Sequence, residues 1–290
     1  MKTYFDIAGD GGSQIVDQVV DIQEKIRHKL SRVKHRLAIA SGKGGVGKST
    51  LAMQLAAALR QRGKTVTLLD ADLNGPSLAH MAGLQESLFI PGPAGLHVPK
   101  TKDGIGVLSL GSMVSEDQAI DFESVAPSES FTWRATREFT TFRDLLAGTD
   151  WGTLDYLVID LPPGAHKCYE FAQFLGSETA FVLVTLPSDV SQGVVRRSVS
   201  ALKKLKNPLL GYVENMSGYY CADCGKVKPL FPQNTRMNFD IPLLASLPFD
   251  PRLATLCDQG QPLAYLFDSP AAQAIHALAE NIEKRMEAQP

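Results

Sequence analysis

The residues with the clearest chemical potential are the ten from Ser41 to Thr50, which read Ser-Gly-Lys-Gly-Gly-Val-Gly-Lys-Ser-Thr. Gly42, Gly47, Lys48 and Ser49 satisfy G-x-x-x-x-G-K-[ST], the spacing of a Walker A loop. Gly42, Gly44, Gly45 and Gly47 let the backbone around Val46 curl so that successive N–H groups face one anion. Lys48 is then the cation that reaches the β- and γ-phosphates of ATP. Ser49 supplies a hydroxyl to Mg²⁺, and Thr50 a second hydroxyl to the α-phosphate.

Such a loop functions only between a buried strand and a helix, and the flanking residues provide both. Leu37–Ala40 is a short apolar run, while Leu51, Leu55 and Leu59 recur at four-residue spacing before Gly63 closes the segment. A second apolar run, Tyr156 to Ile159, closes on Asp160 in the Walker B pattern of a central strand buried on both faces. Asp160 is therefore expected to hold Mg²⁺ through water. Thr65–Leu69 is another buried strand, and it ends in Asp70-Ala71-Asp72 at the sheet edge where α/β ligands bind.

The remaining elements continue the alternation. Ala180–Thr185 and Leu209–Val213 read as strands, Ile105–Leu110 as another, and Val195, Val199, Leu202 and Leu205 as the apolar stripe of a helix. A helix opens at Trp133-Arg134-Ala135-Thr136 and runs through Leu146, and Ser269-Pro270 supplies an N-cap and N1 pair for a last helix. Ile275, Leu278, Ile282 and Met286 give that helix a face to pack against the domain. Gly83–Val98, with Pro91-Gly92-Pro93, reads as an exposed loop. The expected fold is α/β, a doubly wound and mostly parallel sheet of the P-loop NTPase type in one domain. That domain is placed at 37–290. Residues 1–36 form a lead-in: a flexible Gly9–Gly12, then a helix carrying Ile15, Val19, Ile22, Ile26, Leu30 and Val33, with a solvated basic end from Arg27 to Arg36.

At 44% hydrophobic residues the chain can bury a large core, and its formal net charge of −2 gives no global field to recruit nucleic acid or an acidic membrane. No apolar run approaches the ~18 residues of a spanning helix, and the start lacks an apolar signal-peptide core, so a cytoplasmic protein is expected. Four cysteines, at 168, 221, 224 and 257, are too unevenly placed for a disulfide framework and fit a reducing compartment. Cys168 and Cys257 are isolated and read as small buried hydrophobes. Cys221-Ala222-Asp223-Cys224-Gly225 is different. A C-x-x-C pair suits a zinc knuckle, a redox pair or half of an iron-sulfur site, and the sequence has no second such pair to complete four ligands.

Lys43, a second lysine near the start of the glycine-rich loop, makes the segment G-K-G-G-x-G-K-S. This resembles the deviant Walker A ATPases, a family that includes MinD, ParA, the nitrogenase iron protein and the Mrp-type iron-sulfur carriers. The resemblance implies that Lys43 crosses a homodimer interface to the phosphates held by the other chain. Further segments are similar to the Mrp type in particular: Asp70-Ala71-Asp72 with Leu73-Asn74-Gly75-Pro76-Ser77, Asp160-Leu161-Pro162-Pro163-Gly164, and Glu214-Asn215-Met216-Ser217 just before Cys221 and Cys224. Leu247-Pro248-Phe249-Asp250 resembles the family's nucleotide-edge loop.

By that resemblance Asp72 orients the attacking water, Asp70 supports the Mg²⁺ shell and Asn215 reads adenine. Capping of local turns is the competing reading for these three residues. Cys221 and Cys224 of two chains would together hold a bridging [4Fe-4S] cluster, delivered to apo iron-sulfur client proteins or exchanged with scaffold proteins. A MinD- or ParA-like switch without a cluster, and a zinc-stapled regulatory dimer, are the alternatives. Two departures stand out. The segment Trp133–Thr136 lacks the family's glycine and proline, and Ala165-His166-Lys167 replaces the usual T-G-D after switch II, which points to slow ATP hydrolysis.

Overall fold

The computed structural model describes residues 15–73, 75–84, 90–110, 131–231, 239–261 and 269–288. Helix α1 (Ile15–Leu30) precedes β1 (Val33–Ser41), the glycine-rich loop and α2 (Lys48–Gln61). Then come β2 (Val66–Asp70), the single turn α3 (Leu78–Met81), β3 (Ile90–Gly92), β4 (Gly95–His97), β5 (Gly106–Leu108) and α4 (Phe131–Gly148). The middle of the chain supplies β6 (Thr149–Asp150), β7 (Leu154–Asp160), α5 (Ala165–Leu175), β8 (Thr179–Thr185) and α6 (Asp189–Leu202). Last are β9 (Leu209–Cys221), β10 (Lys226–Pro229), β11 (Leu243–Phe249), α7 (Pro251–Asp258) and α8 (Pro270–Glu287).

The main sheet has eight strands in the order β10-β9-β8-β1-β7-β2-β5, with β11 also paired to β9. Every pair is parallel except β10 with β9. β1 lies at the centre, between β7 and β8, and its residues Leu37 to Ala40 are fully buried. Burial on both faces is why these strands read as continuous apolar runs rather than alternating ones. One face of the sheet is covered by α2 and α8, whose Leu55, Leu59, Ile275, Leu278 and Ile282 share a core with Leu37 and Val158. The other core gathers Phe142, Trp151, Phe171 and Val195 with Leu157 and Phe181.

Several sequence expectations shift. β1 begins at Val33, inside the stretch expected to be lead-in, because His35 and Arg36 pair in register with Tyr156 and Leu157 despite their polarity. Val33 therefore belongs to a strand and not to the helical stripe. Helix α1 is docked, with Ile26 and Leu30 buried against the second core. The stretch Gly83–Val98 is not all loop, since β3 and β4 pair as a short hairpin and join β6 in a separate three-stranded sheet. Leu247–Phe249 is strand rather than loop; Asp250 follows it as the N-cap of α7, accepting a hydrogen bond from the Arg252 amide at 3.1 Å. The expected last helix is α8, with Ser269 Oγ accepting from the Ala272 amide at 3.2 Å and Ile275, Leu278, Ile282 and Met286 buried. Gly9–Gly12 and Asn74 lie outside the described residues, as do the side chains of Ile15, Val19 and the Trp133–Thr136 segment.

Candidate functional site

The C-terminal ends of β1, β2 and β7 form the edge at which the predicted residues meet. Strand register fixes this directly: Ile39 is the partner of Asp160 across β1 and β7, and Asp70 is the partner of Asp160 across β2 and β7. The glycine-rich loop leaves β1 here and enters α2 at Lys48. Gly45 and Gly47 adopt φ of 74° and 80°, a left-handed conformation that costs a side-chain-bearing residue roughly 1 kcal/mol or more. Gly47 is the N-cap of α2 and has no side chain to cap it, so the first N–H groups of the helix remain directed at the loop's interior. Gly42 has a different reason to be glycine. A Cβ there would run into Val194 of α6, so the helix sits against the loop's start.

Lys48 and Asp160 are both buried, and Lys48 Nζ pairs with Asp160 Oδ1 at 2.5 Å. Burial pushes the Asp160 carboxyl above the ordinary range, opposed by the Lys48 ammonium and the neighbouring Ser49 hydroxyl. Its second oxygen, Oδ2, is buried and accepts no hydrogen bond among the described residues. A buried carboxylate oxygen without a donor, beside a serine hydroxyl, suits a hydrated divalent cation. Ser49 and Asp160 thus fit the Mg²⁺ that accompanies a bound nucleotide, which would neutralise phosphate charge there.

Asp70 has a crowded environment. Its Oδ2 accepts from the Ser77 amide at 3.1 Å, the Leu78 amide at 3.2 Å and Ser109 Oγ at 3.0 Å, while Oδ1 accepts from the Asp72 amide at 3.2 Å. Both oxygens tie the turn after β2 to α3 and to the end of β5. Burial, followed by the charge of Asp160, raises its pKa to about 7. The turn-capping reading is therefore realised at Asp70, whose Oδ2 takes most of the donors while Oδ1 takes only the Asp72 amide. Asp72 is half-buried at the same edge, and its carbonyl accepts from the Gly75 amide at 3.2 Å.

Switch II returns the chain to the loop. The Gly164 amide donates to the Ser41 carbonyl at 2.9 Å, with Gly164 at φ 116°, and Ala165, His166 and Lys167 form the first turn of α5. Lys43 is half-buried on the loop, and its ammonium forms no ion pair within the described chain. Cys168, on α5, is fully buried with its thiol against the Ser41 carbonyl, and burial pushes it up to about 12. Cys257 is also buried. Both are packing residues, as expected.

Asn215 contacts the loop itself. Its Nδ2 donates to the Val46 carbonyl at 2.8 Å, and a Cβ on Gly47 would collide with that amide. Met216 follows at φ 53°, one of two described non-glycine residues with positive φ, which breaks the strand's pleat and aims Asn215 at the loop. The same strand ends at Cys221. Lys226 of β10 pairs with Cys221, and Gly225 at φ 65° closes the turn by donating to the Cys221 carbonyl at 2.9 Å. The Cys224 amide and thiol, both directed at the Cys221 sulfur, hold its thiol below the ordinary value. The pair is a ready thiolate donor at a hairpin tip, and among the described residues no third His, Cys, Asp or Glu joins it.

Sequence reasoning missed Ser109 and Met216, for which no local pattern exists. It also missed the bond between Asn215 and Val46, which depends on a strand continuing through a polar segment.

A family model described as the NUBPL iron-transfer P-loop NTPase, within the ParA group, matches residues 32–283. The chain belongs to that family. An iron-sulfur cluster carrier protein of Methanocaldococcus jannaschii is 35% identical over 91% of this chain and 89% of its own length. A cytosolic Fe-S cluster assembly factor NUBP1 homolog of Brugia malayi is 37% identical over 89% of this chain and 84% of its own. Among solved structures, a nucleotide-binding protein from Archaeoglobus fulgidus in complex with ADP superposes with a TM-score of 0.71 at 31% identity, covering 87% of this chain and 95% of that one. The cell division ATPase MinD of Pyrococcus furiosus gives 0.62 at 25% identity, over 87% and 100%. The NUBPL-type match spans both the loop at Gly42–Thr50 and the cysteine hairpin.

Proposed function

We propose that this NUBPL-family protein is an ATP-hydrolysing homodimer that carries a [4Fe-4S] cluster between Cys221 and Cys224 of two chains and passes it to apo-proteins. The observation that carries this reading is the cysteine hairpin. Its two thiols converge, one of them lowered towards thiolate, but they supply only half of a four-ligand set. A second copy related by a two-fold axis completes the set without any further motif.

In this account Lys48 exchanges the Asp160 carboxylate for the β- and γ-phosphates of ATP. Backbone N–H groups of the loop and of α2 bind the same phosphates, and the Thr50 hydroxyl takes the α-phosphate. Asp72 orients the attacking water, and Lys43 reaches the partner chain's nucleotide. Asp70 acts from behind by holding the turn that carries Asp72. Asn215 accepts the adenine amine through its amide oxygen while an N–H of its amide stays on Val46. Hydrolysis is slow, with kcat at or below about 1 s⁻¹, because Lys167 stands where relatives place a carboxylate. The homology to carriers named for iron-sulfur clusters supports the cargo, and similarity to an ADP complex supports the nucleotide.

The test is anaerobic purification, reconstitution with iron and sulfide, and metal and sulfide quantification on size-separated protein. Iron with matching sulfide in the dimer peak supports the reading. Zinc without sulfide replaces it with a zinc-stapled dimer, and neither metal leaves a nucleotide switch of the MinD kind.

A further inference from the structure

The edge of the sheet opposite the nucleotide site carries its own cluster of charged side chains. β1 has nine residues, so its start at Val33 lies about 25 Å from the glycine-rich loop. Around that start the end of α1, the turn between α5 and β8, and the end of α8 enclose a cavity of about 810 Å³ whose walls include Arg27, Lys34, His35, Arg36, Glu178 and Met286. A second cavity of about 280 Å³ shares Arg27, Arg36 and Glu178 with the first and continues over the apolar side chains of Ile26, Leu30 and Phe174.

Arg36 stands between the two cavities. Its side chain is only 12% exposed, and it donates from Nη2 to Glu178 Oε2 at 2.5 Å, a carboxylate that is itself 75% exposed. Among the described residues the largely buried guanidinium is thus answered by one surface glutamate, and Arg27, Lys34 and Arg36 line the larger cavity against one lining carboxylate, although the charges of Glu287 and Asp155 also reach its His35. Beside them His35 Nε2 is buried and has no hydrogen-bond partner among the described residues. Arg36 offers a fork of donors suited to a carboxylate, and Glu178, exposed at the rim, occupies only Nη2 of it.

We propose that this double cavity is a docking site for an acidic segment of a partner protein, one that sets a carboxylate on Arg36 in place of Glu178 and an adjacent apolar side chain over Ile26, Leu30 and Phe174. Excess positive charge argues for an acidic ligand, and two open cavities that share Arg27, Arg36 and Glu178 as walls, one with an apolar end, argue for an extended peptide over a compact anion. The site is independent of what Cys221 and Cys224 hold.

The test uses full-length protein and a fluorescein-labelled, aspartate-rich peptide with one central leucine, read by anisotropy at low salt. Binding is expected, with Arg27→Glu weakening it at least about tenfold, a direction that charge reversal at an exposed helical position dictates. Arg36→Ala should also abolish most of the affinity. Glu178→Ala removes the internal competitor and is expected to tighten binding several-fold, which a purely structural ion pair would not do. Lys102→Glu, an exposed reversal elsewhere, should leave binding unchanged. The proposal is overturned if Arg27→Glu binds like wild type, if Glu178→Ala weakens binding, or if a lysine-rich peptide binds as well. It is also overturned if inorganic phosphate displaces the peptide at concentrations comparable to the peptide's own Kd, which would make the site one for small anions.

Discussion

Lys48 Nζ and Asp160 Oδ1 stand 2.5 Å apart with both side chains buried, so the lysine proposed to bind phosphate is held by the carboxylate at the end of β7. Two charges buried together are costly to separate by mutation, because removing one leaves the other unpaired at about 3–5 kcal/mol. Lys48→Ala is therefore expected to lose both ATP affinity and stability in nucleotide-free protein. The double substitution Lys48→Met with Asp160→Leu should recover most of that stability while still failing to bind ATP. Urea denaturation of the variants decides this; a double variant as unstable as Lys48→Ala would mean the ion pair is not the source of the loss.

Lys43 differs from Lys48 in pairing with no carboxylate among the described residues. Lys43→Ala should keep nucleotide affinity within about twofold and lower turnover by a factor on the order of the 10³ attributed to fingers supplied in trans. Calorimetry and phosphate release measure the two separately. Equal loss of affinity in Lys43→Ala and Lys48→Ala would place both lysines on one nucleotide.

Asp70 makes stability depend on pH in a direction opposite to that of an ordinary paired carboxylate. Its folded pKa, about 7, lies above the unfolded value of 3.8, so the folded state binds the proton more tightly. The stabilisation this gives is complete below the unfolded pKa and fades as pH rises through the folded one. Compared with Asp70→Asn, wild-type protein without Mg²⁺ should lose relative stability between about pH 4 and pH 7. A stability difference that is flat across that range, followed by thermal denaturation, would show that Asp70 is ionised throughout.

The cation at position 167 predicts its own effect. Lys167→Asp, which introduces the acidic residue that the resemblance to Mrp-type ATPases leads one to expect there, should accelerate ATP hydrolysis about tenfold with little change in KM, since the change lies at the first turn of α5 beside switch II. A rate equal to or below wild type would locate the limit elsewhere.

The parts of this molecule that were legible in the sequence are those in which backbone geometry dictates residue type. Gly45 and Gly47 must be glycine at φ 74° and 80°, and apolar strands buried on two faces announce themselves, so the loop, Asp160 and the parallel sheet could all be read. What escaped depended on contacts between distant segments. The length of β9 was hidden because Glu214-Asn215-Met216-Ser217 is polar and Met216 leaves the pleat, although Asn215 is held on the loop 169 residues away. Pro248 disguised β11, which tolerates a proline because among the described strands it pairs only with β9, with a register shift between Leu247 and Phe249. For Asp70 the sequence left a metal role and a turn cap side by side, and the donors that make it a cap, the amides of Ser77 and Leu78 and the hydroxyl of Ser109, come from segments whose approach no local pattern announces.

A cluster held by the cysteines of two chains leaves a quadratic signature in a mixing experiment. Wild-type protein and the Cys221→Ser, Cys224→Ser double variant are co-refolded in varied proportions, reconstituted anaerobically, and assayed for iron and sulfide in the dimer peak, with ATP binding confirming that all dimers are folded. Because a mixed dimer offers two thiolates where four are needed, cluster content should fall as the square of the wild-type share. A linear fall, iron that persists in the double variant alone, or zinc without sulfide in the wild type would each contradict a cluster shared between the two hairpins.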